Sequence, residues 1–184
     1  MLSVENSLLV VIDIQGNLAQ AMHDKKSLFE NLKKIISGAQ ILNLPIIVTE
    51  QIPEKLGSTI PELAGLFSDF KPIPKASFSC WGEKVFAEKL RATSRKQILL
   101  TGIESHVCVY QTALELKSIG YEVYLVADCI SSRTAENKSI AIARMTSEEI
   151  KVTSTEMALF ELMKTAKAEK FREVAKVVKQ SKLR

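Results

Sequence analysis

Uninterrupted apolar runs, with no polar alternation, constrain this chain more than any other feature. Ser7 to Ile14 reads as one such run and Gln97 to Thr101 as another, with Tyr121 to Ala127 close to the same pattern. A strand exposed on one face alternates apolar with polar, so continuous runs of this length imply strands buried on both faces of a parallel sheet. Between them lie segments of helical spacing. Ser27 is an expected N-cap for a helix to Asn43, and helices are also expected over Glu83 to Arg91, Val107 to Ile119 and Thr134 to Ser147. Gly120 is placed to close the helix over Val107 to Ile119. Ile46 to Thr49 and Ile150 to Thr153 read as further strands, and Gly102 to His106 as a turn. Residues 50 to 74 hold four of the five prolines and read as a mostly irregular excursion, with a helical turn near Glu62 to Phe67. Strands alternating with helices predict a three-layer α-β-α, Rossmann-like domain with a mostly parallel central sheet. The expected unit is one domain over residues 1–184, with residues 166–184 as a helical, lysine-rich tail.

Composition narrows the function classes. A charge of +4 is modest, and the Lys and Arg residues lie on helical faces and in the tail without interleaved aromatics. That is a solvated surface and not a nucleic-acid groove. The longest apolar stretch, Leu8 to Ile12, is too short to span a bilayer, and no signal-peptide pattern opens the chain, so a cytoplasmic address is expected. Cys80, Cys108 and Cys129 are an odd number with no paired spacing, and only His23 and His106 accompany them. Neither a disulfide framework nor a structural zinc site is expected, and no phosphate-cradling glycine motif or serine elbow is present.

In a doubly wound sheet, ligands bind beyond the carboxyl ends of the strands, and that rule gathers separate residues into one site. Asp13 ends the first strand, Glu50 and Gln51 follow the second, Lys75 closes the excursion, and Cys108 stands just past a strand where a helix begins. Helix N-terminal amides stabilise a thiolate and can hold an oxyanion, whereas Cys80 and Cys129 lack that setting and read as structural. A lysine near Cys108 and Asp13 would lower the thiol pKa and hold the carboxylate ionised. His106, two residues before Cys108, cannot readily turn back onto that sulfur and reads as a hydrogen-bonding or substrate-contact residue.

The ordered set Val11-Ile12-Asp13-Ile14-Gln15, Pro74-Lys75 and Gly102-Ile103-Glu104-Ser105-His106-Val107-Cys108-Val109 resembles the isochorismatase-like superfamily of cysteine hydrolases. The resemblance runs from about residue 6 to about residue 162. It implies that Asp13 accepts the thiol proton, Cys108 attacks a carbonyl and Lys75 stabilises charge between them. It also implies a cis peptide at Ile103–Glu104 and an oxyanion hole from the amides of Glu104 and Cys108. The implied reaction is cleavage of a small amide or ureido compound through a thioester, with no cofactor, in a homo-oligomer. Metal-dependent nicotinamidases of this kind place Asp-x-His after the second strand; Thr49-Glu50-Gln51 stands there instead, so no metal is expected. Phe78, Trp81 and Ile103 are expected pocket walls, with Gln15 and Gln51 as polar recognition groups. Two other readings stay open. One is a catalytically retired fold kept for binding or assembly. The other is a thiol redox protein using Cys108, although no resolving cysteine is evident near it in sequence.

Overall fold

A computed structural model describes residues 1–179. Six strands, β1 (Ser7–Ile12), β2 (Ile46–Gln51), β3 (Ile73–Lys75), β4 (Gln97–Ile103), β5 (Glu122–Ser131) and β6 (Lys151–Thr153), form one sheet in the order β3-β2-β1-β4-β5-β6. Every neighbouring pair is parallel. The helices are α1 (Gly16–Gln20), α2 (Lys25–Ile41), α3 (Pro53–Leu56), α4 (Pro61–Ala64), α5 (Lys84–Ala92), α6 (Tyr110–Ser118), α7 (Ala135–Ser147), α8 (Thr155–Met163) and α9 (Phe171–Lys179). This is the expected three-layer α-β-α architecture.

The continuous apolar runs have the predicted cause. Leu8, Val10 and Ile12 of β1 pack with Phe86 and Leu90 of α5 and Ala113 and Leu116 of α6. Leu9 and Val11, on the other face, pack with Leu32, Ile35 and Ile36 of α2 and Leu159 and Leu162 of α8. Each fully buried aliphatic side chain contributes roughly 1.5–3 kcal/mol, so β1 is held from both sides.

Several boundaries differ from the sequence reading, each for a local reason. Ser27 is not the cap of α2: the helix begins at Lys25, after Asp24 in a left-handed conformation with no side-chain cap. The excursion over 50–74 contains α3, α4 and the strand β3, whose register sets Gln51 opposite Lys75. Pro74 is tolerated in β3 because this is an edge strand, where a missing N–H costs no ladder bond. The expected turn over Gly102 to His106 is absent as such. Strand β4 runs on to Ile103, and a wide π-helical turn, Ser105–Val109, leads into α6. Strand β5 runs to Ser131, with its register to β4 shifting between Leu100 and Gly102. In the tail, α9 buries Val174 against the core that contains α2 and α8; residues 180–184 of the expected lysine-rich helix lie outside the described residues.

Candidate active site

Four adjacent strands deliver the candidate residues to one edge of the sheet. Asp13 follows β1, Thr49 and Gln51 lie in β2, Lys75 ends β3, and Cys108 sits in the π-helical turn after β4. Asp13 itself adopts a left-handed backbone (φ 55), a conformation that aspartate tolerates better than most residues. Beside it Gly102 (φ +122) pairs with Ile12, and a Cβ on Gly102 would lie 2.2 Å from the Ile12 carbonyl oxygen. Only glycine lets β4 approach β1 this closely where the carboxylate is presented.

The side chains of Asp13 and Lys75 are both buried, with Lys75 Nζ 2.8 Å from Asp13 Oδ2 and 3.6 Å from Cys108 Sγ. Thr49 Oγ1 donates to Asp13 Oδ1 at 2.8 Å. Lys75 also donates to Gln51 Oε1 and to the carbonyls of Ser77 (3.0 Å) and Phe78 (3.1 Å). The residue Cys108 is 7% exposed. The expected trio of Asp13, Lys75 and Cys108 is therefore assembled in space.

The electrostatics correct the expectation of a thiolate at rest. Burial, then the charge of Asp13, push the Cys108 thiol up to about 12, and the nearby Lys75 only partly offsets them. Burial raises the Asp13 pKa against the pull of Lys75 and of its hydrogen bonds. Burial depresses Lys75, but the charges of Asp13 and Cys108 outweigh it and leave that pKa raised. A thiol whose proton is held more tightly than usual thus lies beside the close pair of Asp13 and Lys75.

Other candidate residues fall into place around this core. The Ile103–Glu104 peptide is cis, as the resemblance implies. The Glu104 carboxylate accepts from Arg133 Nε (3.0 Å) and from the Arg133 amide (3.2 Å), tying the turn to the start of α7. His106 Nδ1 lies 2.9 Å from Ser132 Oγ, consistent with a hydrogen-bonding role. His23 engages the end of β5 through its backbone: its amide donates to the Ser132 carbonyl, and its own carbonyl accepts from Ser131 Oγ.

The expected substrate contacts are placed differently from the reading above. Ile103 is fully buried in the core between the sheet and α2, so it is no pocket wall. Trp81 packs against Tyr121, with Arg91 over its ring. Phe78 is 54% exposed. Gln15 donates to the carbonyls of Gln51 and Gly57 and accepts from the Gln51 amide, while Gln51 donates to Ala76 O and accepts from Lys75. Both amide side chains are engaged within the protein.

Cys80, read from the sequence as structural, lies close behind this group. It is fully buried, with its sulfur 3.8 Å from Thr49 Oγ1, the hydroxyl that also donates to Asp13. Nothing in its local sequence signals this placement; it follows from the Cys80 amide donating to Thr112 Oγ1, one helical turn beyond Cys108.

A parallel sheet flanked by helices, with acid, ammonium and thiol at its carboxyl edge, defines an α/β protein with a hydrolase-type fold. The Isochorismatase domain family matches residues 7–157, and the chain belongs to that family. It is 35% identical over 181 residues to the secreted isochorismatase effector Isc1 of Phytophthora sojae, covering 95% of this chain and 85% of that one. Its fold is similar to that of the MAR1 ribonuclease from Caenorhabditis elegans, with a TM-score of 0.91, 32% identity, and coverage of 98% of this chain and 93% of the other. The fold is also similar to that of the Escherichia coli YcaC gene product, described as an octameric hydrolase of unknown specificity; there the TM-score is 0.90 at 23% identity, covering 96% and 88% of the two chains. Among the described residues, no helix is long and apolar enough to cross a membrane.

Proposed function

We propose that the chain is a metal-independent cysteine hydrolase that cleaves a C–N amide or ureido bond of a small molecule through a thioester. The observation that carries this reading is the bridging position of Lys75 Nζ between Asp13 Oδ2 (2.8 Å) and Cys108 Sγ (3.6 Å). Losing the thiol proton to solvent would leave two buried anions and one cation. Passing it to Asp13 as the sulfur attacks leaves the site neutral throughout, which is the less costly route in a buried setting.

The attacked carbonyl oxygen becomes an oxyanion facing the amides of Glu104 and Cys108. Collapse of that intermediate breaks the C–N bond, and the departing amine takes the proton from Asp13. Water then adds to the thioester while Asp13 accepts one of its protons. The second collapse releases the acid and returns the proton to sulfur, so an amide and a water yield an acid and an amine.

Independence from metal is supported by how the residues after Val48 are employed. Glu50 Oε1 accepts from Thr59 N and Oγ1, and Gln51 is bound to Lys75 and Ala76. A small substrate suits a thiol so little exposed. A homo-oligomer belongs to the same proposal, supported by the exposed apolar side chains of Phe78, Val85, Ile140 and Met157. So does a cytoplasmic address, which suits three unpaired cysteines.

The test is a panel of small amides, carbamoyl compounds and nicotinamide scored for ammonia release, with an RNA arm scored for cleavage. Turnover of an amide that disappears in Cys108→Ala, and survives in Cys129→Ala, supports the reading. No turnover of any amide, or turnover that Cys108→Ala retains, overturns it in favour of a retired binding fold or another chemistry.

A further inference from the structure

The two glutamines read from sequence as substrate contacts form a chain that ends on Lys75. Gln15 clamps the backbone of Gln51 from both sides, accepting from its amide at 2.6 Å and donating to its carbonyl at 3.1 Å. The same Gln15 amide is anchored on the Gly57 carbonyl at 2.6 Å. Gln51 in turn accepts from Lys75 Nζ through its Oε1, while its Nε2 donates to the carbonyl of the next residue, Ala76, at 2.7 Å. Gln15, Gln51 and Lys75 are all buried, so no solvent competes for these bonds.

An ammonium has three N–H donors, and Lys75 has five acceptors within reach. Two of them, Asp13 and Cys108, change charge as the thiol proton moves. The other three, Gln51 Oε1 and the carbonyls of Ser77 and Phe78, are neutral and do not. A carbonyl oxygen bonds an ammonium N–H but only repels the lone pair of a neutral amine, so each such contact favours the charged lysine. We propose that Gln51, itself locked by Gln15, is a positioning residue that keeps Lys75 charged and in place when Asp13 has taken the thiol proton. At that moment the ion pair with Asp13 is lost, and the ammonium can turn toward the sulfur as it gives up its proton. Without the neutral acceptors, the lysine would lose its main support at the step in which its charge matters most. The inference rests on the proposed Asp13–Lys75–Cys108 chemistry and assigns Gln51 no contact with substrate.

The groups that bear on Lys75 are Asp13 from the end of β1, Cys108 from the π-helical turn, Cys80 from the short turn over residues 80–82, and Glu83. Glu83 is itself held by the amides of Ala76 and Ser77 and by Ser77 Oγ. Their contributions are fixed across a series that changes only residue 51, which is how the test isolates Gln51.

Asp13→Asn reproduces the neutral acid without needing a substrate. In that background, the Lys75 pKa is read from the 13Cε resonance of labelled lysine, assigned by its loss in Lys75→Met. The pH dependence of Cys108 alkylation by iodoacetamide, mapped by mass, gives a second readout. Adding Gln51→Met, which keeps the length and removes the acceptor, should lower the Lys75 pKa by about one pH unit or more, a tenfold or greater weakening of proton binding. The alkylation midpoint of Cys108 should rise in step. Gln51→Glu, which restores an acceptor oxygen, should return the Lys75 pKa to at least its starting value. If the methionine protein fails to fold, the Gln15→Leu protein, which loosens Gln51 without touching Lys75, should show a smaller shift in the same direction. Identical Lys75 pKa values with and without Gln51 would overturn the proposal. Failure of the hydrolase reading would appear separately, in the substrate panel, and would leave these titrations legible.

Discussion

Asp13 Oδ2 and Lys75 Nζ lie 2.8 Å apart with both side chains withdrawn from water, although 61 residues separate them in the chain. Removing one member of such a pair leaves the other charge buried and uncompensated. Asp13→Asn is therefore expected to lower stability by about 3 kcal/mol, softened by the neutral acceptors that still hold Lys75. The same change removes the anion that helps push the Cys108 thiol up to about 12, so that pKa should fall. The expected protein alkylates faster at Cys108 near neutral pH yet has lost hydrolysis, because no group remains to carry the proton. Urea denaturation, alkylation rate and turnover check the three parts. Turnover near the unsubstituted level in Asp13→Asn would remove Asp13 as the base.

Thr49→Val separates the support of Asp13 from its chemistry. The hydroxyl donates to Asp13 Oδ1 at 2.8 Å, and that bond lowers the acid's pKa. Valine keeps the shape and deletes the donor, leaving a buried carboxylate oxygen without its partner. A loss of about 1–3 kcal/mol is expected. The Asp13 pKa should rise further, so the acid limb of a turnover profile moves to higher pH while KM changes little. An unmoved acid limb would show that this limb belongs to another group.

Gly102→Ala tests the close approach that frames the site. The new Cβ would stand 2.2 Å from Ile12 O and 2.6 Å from Ile12 N, both backbone atoms of the central strand β1. A φ of +122° also excludes alanine from this conformation without strain. Destabilisation on the order of 3 kcal/mol or more is expected, since neither strand can move aside without opening the sheet. Denaturation midpoints measure it, and a change under about 1 kcal/mol would mean that the two strands separate easily.

Much of this arrangement was legible in the sequence, and the exceptions share a cause. The run from Leu8 to Ile12 announces a strand covered on both faces because burial on both faces leaves no polar alternation. Asp13, Lys75 and Cys108 could be placed on one edge because strand order in a parallel sheet fixes where loops emerge. Strand β3 was hidden: three residues with a proline in the middle carry no period, and only pairing with β2 makes them a strand. The internal engagement of Gln15 and Gln51 was hidden because their partners are largely backbone groups, which no side-chain pattern reports. The thiolate expectation failed because position at a helix start is visible in sequence, whereas the depth of Cys108 and the anion beside it are properties of the packed molecule.

Alkaline instability follows from the buried thiols. An ordinary thiol ionises at 9.0, whereas burial pushes Cys80 and Cys108 up to about 12 and also raises Cys129 well above its usual value. Between these limits the unfolded chain gives up protons that the folded chain keeps. The folded state therefore binds more protons, and its stability must fall as pH rises from about 9 toward 12. The stability contributed by the raised pKa of Lys75 is fully present below its unfolded value of 10.5 and is also lost as pH climbs through its folded value. Each thiol adds a slope of about 1.4 kcal/mol per pH unit within its window. Urea denaturation at pH 8 and pH 10 should show the loss, and Cys129→Ala, remote from the candidate site, should remove about a third of the thiol share. A stability that stays flat from pH 8 to pH 10 would mean that these sulfurs ionise in the folded protein as freely as in the unfolded one, and that the interior around Asp13 and Lys75 is far wetter than its packing indicates.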